Sequence, residues 1–351
     1  MIIFPESIAR FDPEDMFRCI SDFPAQIEEA VQIGWQAQLG TLKAPFSSVV
    51  VTGMGGSAIG GDLLRSYLSQ EVDVPFLVSR SYLLPGFIGK STLVVVSSYS
   101  GNTEETLSAY QCARKKHSRI LCVTAGGRVL RLAEKNGHSV IRVVPGLQPR
   151  AALGYSFFPL LVSLTRIGLI KNKDRDISET IDRLWILSRQ LRNYRSPRNK
   201  AVRIARALHG KLPVIYSSVD YFDAVNVRWR GQISENAKQL AYGHVLPEMN
   251  HNEIVGWNVD HALMKRTVAV FLKDRGVQER VRLREEITRS IVRRHAADAL
   301  EVWSEGTSLL ARIFSLVYLG DWVSYYLAIL NKRNPTPVKV IEELKARLSK
   351  S

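Results

Sequence analysis

The chain has 351 residues, 46% of them hydrophobic, which is enough for two globular domains with packed cores. Its 48 lysines and arginines outnumber 33 acidic residues and give a net charge of +15, which favours anionic partners such as nucleic acid or small phosphorylated metabolites. Cys19, Cys112 and Cys122 lie far apart, and the histidines form no cluster, so the sequence predicts neither a disulfide framework nor a metal site.

The distribution of apolar residues argues against a membrane protein. The first residues carry acidic side chains and no long apolar stretch, so we expect no secretory signal and a cytoplasmic location. The longest apolar runs, 153–170 and 313–330, are interrupted by residues such as Pro159 and Asp321. Both runs therefore predict buried helices.

In chain order, the pattern begins with a helical arm and continues as an α/β domain. Residues 1–45 have apolar positions at helical spacing. Short β-branched runs then predict strands at 48–52, 75–79, 92–97, 119–124 and 139–144, with helices at about 56–69, 103–117 and 128–136. This alternation predicts a doubly wound parallel sheet in a first domain, residues 46–150.

The second half repeats this organisation after a helical connector, residues 151–210. Strands are predicted at 212–217, 267–272 and 300–303, and helices at about 221–230, 277–296, 307–330 and 337–349. We therefore expect a second α/β domain with a C-terminal helix over residues 211–351.

The most basic stretch, residues 189–206, contains seven lysines and arginines and no acid. Leu191, Val202 and Ile204 recur in it at helical spacing, so we interpret it as the solvated face of a helix. A generally basic, phosphate-handling enzyme explains the charge better than nucleic-acid binding by this stretch.

Two polar loops follow predicted strands of the first domain. Residues 52–62 read Thr-Gly-Met-Gly-Gly-Ser-Ala-Ile-Gly-Gly-Asp, and residues 97–106 read Ser-Ser-Tyr-Ser-Gly-Asn-Thr-Glu-Glu-Thr. Both would lie where open parallel sheets bind ligands, and helix N-termini there offer free N–H groups to anions. Neither the dinucleotide pattern nor a nucleotide P-loop is matched. The clustered hydroxyls of Ser57, Ser98, Ser100 and Thr103 favour a phosphomonoester.

These two loops, about forty residues apart, resemble those of the sugar isomerase (SIS) domain. That domain occurs in glucosamine 6-phosphate synthase, in phosphosugar-sensing regulators and in phosphohexose isomerases. The resemblance implies two SIS-type domains and a phosphate held by Gly56, Ser57, Ser98, Ser100 and Thr103. It also implies that Arg150, in Pro-Arg-Ala-Ala-Leu-Gly, faces the substrate.

The second half contains candidates for proton transfer. Aldose–ketose isomerisation needs a base that moves a proton between two carbons, and a second group that opens the sugar ring. Residues 228–238 contain Glu235 in Glu-Asn-Ala-Lys, and His251 follows sixteen residues later in a Pro-Glu-Met-Asn-His-Asn segment. Glu235 taken alone reads equally well as a surface glutamate, but this pair resembles the bifunctional phosphoglucose/phosphomannose isomerases.

That resemblance assigns roles to individual residues. Glu235 is the expected proton-shuttling base, and His251 is the expected ring-opening group. Lys345, on the last helix, is expected to assist ring opening. It further implies a homodimer in which His251 completes the neighbouring site, and no cofactor. The substrates implied are glucose, fructose and mannose 6-phosphates in carbohydrate metabolism, including glycolysis and gluconeogenesis, with Thr336 linked to mannose use.

Two other functions remain open from the sequence. A non-enzymatic phosphosugar-binding regulator could use the same fold, although it needs neither Glu235 nor His251 and usually carries a helix-turn-helix domain. The isomerase half of an amidotransferase would need a glutaminase with a leading cysteine, which Cys19 does not match.

Overall fold

The computed structural model describes residues 3–258 and 261–348, which form two parallel β-sheets with helices packed on them. The strands of these residues are β1 (Ser48–Thr52), β2 (Phe76–Ser79), β3 (Thr92–Ser97), β4 (Arg119–Thr124), β5 (Ser139–Arg142), β6 (Leu212–Ser218), β7 (Tyr242–Leu246), β8 (Thr267–Lys273) and β9 (Asp298–Trp303). The α-helices are α1 (Pro5–Phe11), α2 (Met16–Ser21), α3 (Phe23–Gln36), α4 (Gly55–Leu68), α5 (Glu104–Lys115), α6 (Gly127–Lys135), α7 (Leu153–Arg166), α8 (Asp174–Leu191), α9 (Lys200–Leu208), α10 (Val219–Ala237), α11 (His261–Met264), α12 (Glu279–Arg293), α13 (Leu309–Leu330) and α14 (Lys339–Leu348).

The first sheet has the strand order β2-β1-β3-β4-β5, and all its pairs are parallel. The chain leaves β1 for one edge and then crosses to β3 on the other side. The crevice outside the carboxyl ends of β1 and β3 is therefore a topological switch point, where such sheets bind ligands. Both polar loops predicted from the sequence begin there.

The second sheet has the order β7-β6-β8-β9 and is also parallel. The predicted α/β class with two parallel sheets is confirmed. Strand β7 was not predicted, because Tyr-Gly-His-Val-Leu lacks a continuous apolar run and lies half-exposed at the sheet edge. Helix α10 is longer than the predicted 221–230, since its polar residues near 232–236 face buried partners.

One hydrophobic core joins the N-terminal helices, one face of each sheet and α13. Helix α13 is long and apolar enough to cross a membrane by length and composition, but its apolar window is entirely buried in the protein. Smaller clusters cover the opposite faces of the two sheets. The domain boundaries near residues 45, 150 and 210 stay a prediction.

The basic stretch 189–206 is not one continuous helix face, contrary to the expectation from its apolar spacing. Helix α8 ends at Leu191 and α9 begins at Lys200. Pro197 lies in the intervening loop, and the Asn199 side chain caps α9 by accepting a hydrogen bond from the Val202 N–H at 3.1 Å. A capping asparagine after a proline ends one helix and starts the next.

Candidate active site

The glycine-rich loop after β1 leads directly into α4. Gly55 has a φ of +50°, which favours glycine, and it is the first residue of the helix. A Cβ on Gly56 would lie 2.4 Å from the Pro149 carbonyl oxygen, so only glycine allows this approach. The free N–H groups of the α4 N-terminus therefore lie next to the segment that carries Arg150.

The hydroxyls of the two predicted phosphate loops are linked. The buried Ser57 hydroxyl accepts a hydrogen bond from the Tyr99 N–H at 3.1 Å. The Ser98 hydroxyl, also buried, donates to the Thr103 hydroxyl at 3.2 Å, and Thr103 is the N-cap of α5. Ser100 is exposed, and its hydroxyl accepts from the Asn102 N–H at 3.3 Å. The predicted hydroxyls thus surround the N-termini of two helices.

A 3-10 helix (Pro149–Ala151) positions Arg150 beside this loop. Its backbone is held from two directions. Gln26 of α3 donates to the Ala151 carbonyl at 2.9 Å and accepts from the Gly154 N–H at 2.8 Å. Arg228 of α10 donates to the Arg150 carbonyl at 3.1 Å. Nothing in the sequence singles out Gln26 beyond its place in the N-terminal arm.

The Arg150 side chain connects the two halves of the chain. It is buried, with 4% of its surface exposed, and donates to the Asn236 side chain at 2.7 Å and to the Pro335 and Thr336 carbonyls at 2.6 and 2.7 Å. Its remaining terminal nitrogen lies 3.6 Å from the Glu235 carboxylate. Burial lowers the pKa of the guanidinium, Glu235 opposes that effect, and the group stays cationic.

A buried ion pair between Arg228 and Asp321 stabilises the segment that carries Arg150. Arg228 donates to the two carboxylate oxygens of Asp321 at 3.1 and 2.7 Å, and Gln232 donates to the same carboxylate at 2.8 Å. Arg228 and Asp321 are almost fully buried. Such a pair offsets its desolvation cost only when its hydrogen-bond geometry is good, as in the two parallel bonds seen here. The same two bonds fix the Arg228 guanidinium, which donates to the Arg150 carbonyl.

Glu235 lies in the last turn of α10, with its side chain 32% exposed. Lys238 follows in the left-handed conformation at the helix end and donates to the backbone carbonyls of Glu235 and Pro335. Partial burial, together with the Arg150 charge, lowers the pKa of the Lys238 ammonium to about 8. Lys238 belongs to the Glu-Asn-Ala-Lys motif, but the left-handed turn that brings it back to the site cannot be read from residue types.

An open cavity of about 610 Å³ lies beside Glu235, between the end of α10 and the start of α14. Ile341 lines this cavity, and Lys345 follows it by one helical turn on the same face. Lys345 is exposed, and within the described residues the structure records no contact between it and Glu235 or Arg150. The predicted lysine is thus near the site but is not joined to it.

His251 is the predicted residue that the structure leaves outside this cluster. It ends a 3-10 helix (Glu248–His251) beyond β7 and is exposed, and over residues 3–258 and 261–348 it has no recorded contact to Glu235. A single chain therefore joins the phosphate loops, Arg150 and Glu235, but not the histidine.

Sequence comparisons identify relatives that cover nearly the whole chain. The chain is 43% identical over 338 residues to the bifunctional phosphoglucose/phosphomannose isomerase of Caldicellulosiruptor bescii, covering 95% of this chain and 99% of that protein. It is 36% identical to the protein of the same name from Aquifex aeolicus, with 96% and 99% covered. This chain belongs to the bifunctional phosphoglucose/phosphomannose isomerase family. The family predicted from the Glu235–His251 spacing is confirmed.

The model of the bacterial phospho-glucose isomerase C-terminal SIS domain matches residues 197–348. Among solved structures, a hypothetical protein of Thermus thermophilus superposes with a TM-score of 0.74 at 14% identity, covering 98% of this chain and 92% of that one. A glucose-6-phosphate isomerase like protein of the same organism gives 0.65 at 18% identity, with 97% and 100% covered. These two likenesses concern the fold.

Proposed function

We propose that this protein is an aldose–ketose isomerase that interconverts glucose 6-phosphate and fructose 6-phosphate, and mannose 6-phosphate and fructose 6-phosphate, in the cytoplasm. The observation that carries the proposal is the Arg150 guanidinium 3.6 Å from the Glu235 carboxylate, on a residue whose backbone packs against the glycine-rich loop. A phosphate-binding loop, a cation and a carboxylate at one place suit proton transfer next to a phosphorylated sugar's carbonyl. Membership in the isomerase family supports the same reaction and gives the regulator alternative no support.

The phosphate of the substrate would bind at the N-termini of α4 and α5. Gly56 allows close approach of the backbone, and the N–H groups there carry the positive ends of the helix dipoles. Hydroxyls complete the cage, and we assign this role to Ser57, Ser98, Ser100 and Thr103. With its phosphate fixed, the open-chain sugar extends toward Arg150 and Glu235.

Glu235 would remove the proton from C2 of the open-chain aldose and deliver it to C1 of the enediol intermediate, while a hydroxyl proton moves from the C2 oxygen to the C1 oxygen to give the ketose. The intermediate enediolate carries negative charge on oxygen, and the buried Arg150 cation stabilises that charge. Because Arg150 is already held by Asn236 and two carbonyls, it needs no rearrangement when the charge develops. Lys345 would assist ring opening from α14.

His251 would open the ring in the site of a neighbouring subunit. The observation favouring this is its exposed place away from Glu235 in its own chain. Glu235→Gln and His251→Ala variants are each expected to be nearly inactive. After mixing and reassociation, each heterodimer would hold one intact site, so about one quarter of wild-type activity should return. No recovery from a mixture shown to contain heterodimers would place both groups in one subunit.

The reaction itself is tested by turnover in the presence of EDTA. Purified protein is supplied with fructose 6-phosphate, and both glucose 6-phosphate and mannose 6-phosphate are measured. Formation of both supports the proposal, and formation of glucose 6-phosphate alone removes its mannose part. Binding of the sugar phosphates without turnover would contradict it and favour a regulatory protein.

A further inference from the structure

A second cavity, of about 450 Å³, lies away from the candidate active site. It is enclosed by the loop between α8 and α9 and by the segment between β9 and α13. Its volume is within the range of about 300–1,000 Å³ that is usual for small-molecule sites. The basic stretch 189–206, which the isomerase reaction does not use, forms one wall of it.

The rim of this cavity is strongly positive. Arg189, Arg198 and Lys200 line it, and Glu305 is the one acid among the described residues of the lining. The Lys200 ammonium contacts the Glu305 carboxylate at 2.6 Å, whereas the part of the chain that the structure describes offers no recorded acidic partner to Arg189 or Arg198. Two guanidinium groups without acidic partners at a cavity rim are suited to bidentate binding of a phosphate.

Helix α9 begins at the same rim. Its nine residues start at Lys200, and its N-cap Asn199 lines the cavity. The positive end of the helix dipole therefore adds to the three cationic side chains. The cationic side chains and the N-terminus of α9 therefore both favour an anion at this rim.

The interior of the cavity is apolar and has an aromatic wall. Leu187, Leu191 and Leu319 are buried beneath it. Trp303 also lines it with 46% of its surface exposed. The Lys273 ammonium lies 4.8 Å from the Trp303 ring centroid, and the exposed part of the ring is accessible to a planar ligand.

This cavity is separated from the candidate active site by helix α13. Ser315 and Leu319 of α13 line the cavity, whereas Asp321 holds the Arg228 that supports Arg150. At 3.6 residues per turn, Leu319 and Asp321 point about 200° apart on the helix. The two sites therefore use opposite faces of one helix.

We propose that this cavity binds a nucleoside phosphate, as a site additional to the one where the sugar phosphates react. The base stacks on Trp303 above the leucine floor, and the phosphates bind Arg189, Arg198 and the N-terminus of α9. Glu305, which lines the cavity and contacts Lys200 and Arg183, would accept a hydrogen bond from a ribose hydroxyl. An enclosed cavity with a single exposed aromatic ring in its described lining fits one nucleotide rather than a polynucleotide strand, which needs successive stacking surfaces.

Calorimetric titration with ADP tests the proposal, with saturating glucose 6-phosphate present so that the reaction site is occupied. The protein is compared with an Arg189→Ala/Arg198→Ala variant. The matched control is Arg192→Ala/Arg195→Ala, which removes the same charge from exposed residues of the same stretch that do not line the cavity. We expect the first variant to bind ADP at least about tenfold more weakly, and the control within about threefold of wild type.

A Trp303→Leu variant tests the binding of the base separately from the binding of the phosphates. It should weaken ADP binding by about tenfold and remove the preference for ADP over pyrophosphate. The proposal is overturned if wild type does not bind ADP at millimolar concentration, or if pyrophosphate binds as tightly as ADP. Equal losses in both double variants, or displacement of ADP by a single-stranded oligonucleotide with higher affinity, would also overturn it. All these results are independent of isomerase turnover, so they do not test the proposed reaction.

Discussion

The Arg150 guanidinium lies 3.6 Å from the Glu235 carboxylate, although the two residues belong to different halves of the chain. Arg150 follows the first sheet, and Glu235 lies in the last turn of the first helix after β6. Because three further hydrogen bonds fix the guanidinium, its position relative to Glu235 depends on α10 and on the segment before α14. The proposed catalytic centre is therefore an interface between the two α/β units.

Replacing Arg150 with lysine should harm both stability and catalysis. A lysine keeps the charge but cannot satisfy Asn236, Pro335 and Thr336 together, which leaves buried acceptors without donors. We expect the free energy of unfolding to fall by about 2–3 kcal/mol and kcat/KM by at least about 100-fold. Urea unfolding and steady-state kinetics measure these, and the exposed Arg142→Lys serves as control.

Variants of the Arg228–Asp321 pair distinguish its contribution to stability from its role in positioning Arg150. Asp321→Asn alone leaves a buried, incompletely paired guanidinium and should cost about 3–5 kcal/mol of unfolding free energy. The double variant Arg228→Met/Asp321→Leu should recover most of that loss, because an apolar pair can replace a buried ion pair. Its activity should stay low, since the donor to the Arg150 carbonyl is gone. Full recovery of kcat in the double variant would show that this hydrogen bond does not position Arg150.

Thr336 offers a test of substrate choice. Its carbonyl accepts from Arg150, which places this residue next to the proposed site, and its buried hydroxyl has no hydrogen-bond partner among the described residues. Thr336→Gln adds bulk there. We expect mannose 6-phosphate turnover to fall at least about tenfold more than glucose 6-phosphate turnover. Equal losses for the two sugars, compared in one preparation, would remove Thr336 from this role.

Glu285 should make stability depend on pH. Its carboxylate is buried, neither oxygen has a hydrogen-bond partner in the described ranges of the chain, and burial raises its pKa to about 7 against the opposing charge of Lys273. Because the folded-state pKa exceeds the ordinary value of 4.5, the folded protein holds this proton more tightly than the unfolded chain. The stabilisation is complete below pH 4.5 and is lost as the pH rises through about 7.

The measurement is the unfolding free energy of wild type relative to Glu285→Gln from about pH 5 to 8. Wild type should lose roughly 2–3 kcal/mol relative to the variant over this range. An exposed residue of the same helix provides the control, Glu279→Gln, which should run parallel to wild type because its charge does not contribute to the pKa shift of Glu285. A wild-type profile that is also parallel to Glu285→Gln would mean that the carboxyl titrates normally.

Much of the fold was readable because buried parallel strands are continuous apolar runs, as in Val-Val-Val before the glycine-rich loop. Strand β7 was not, since an edge strand lacks that signature. The loops around Ser57 and Ser98 were predicted from residue type and position, and the structure brings them together. The residues that hold the Arg150 segment could not be predicted. Gln26, Arg228 and Asp321 come together only through tertiary packing over long sequence separations.

Glu235 is the proposed proton-transferring base, and the Glu235→Gln variant removes this function. Fructose 6-phosphate is incubated in D2O with wild type or variant, and NMR follows both product formation and deuterium entry at C2 of the aldose. Since glutamine cannot accept the proton, the variant should lose at least about 1,000-fold in both rates while its unfolding profile and sugar-phosphate binding stay near wild type. A variant that keeps turnover within about tenfold of wild type would show that a group other than Glu235 transfers the proton.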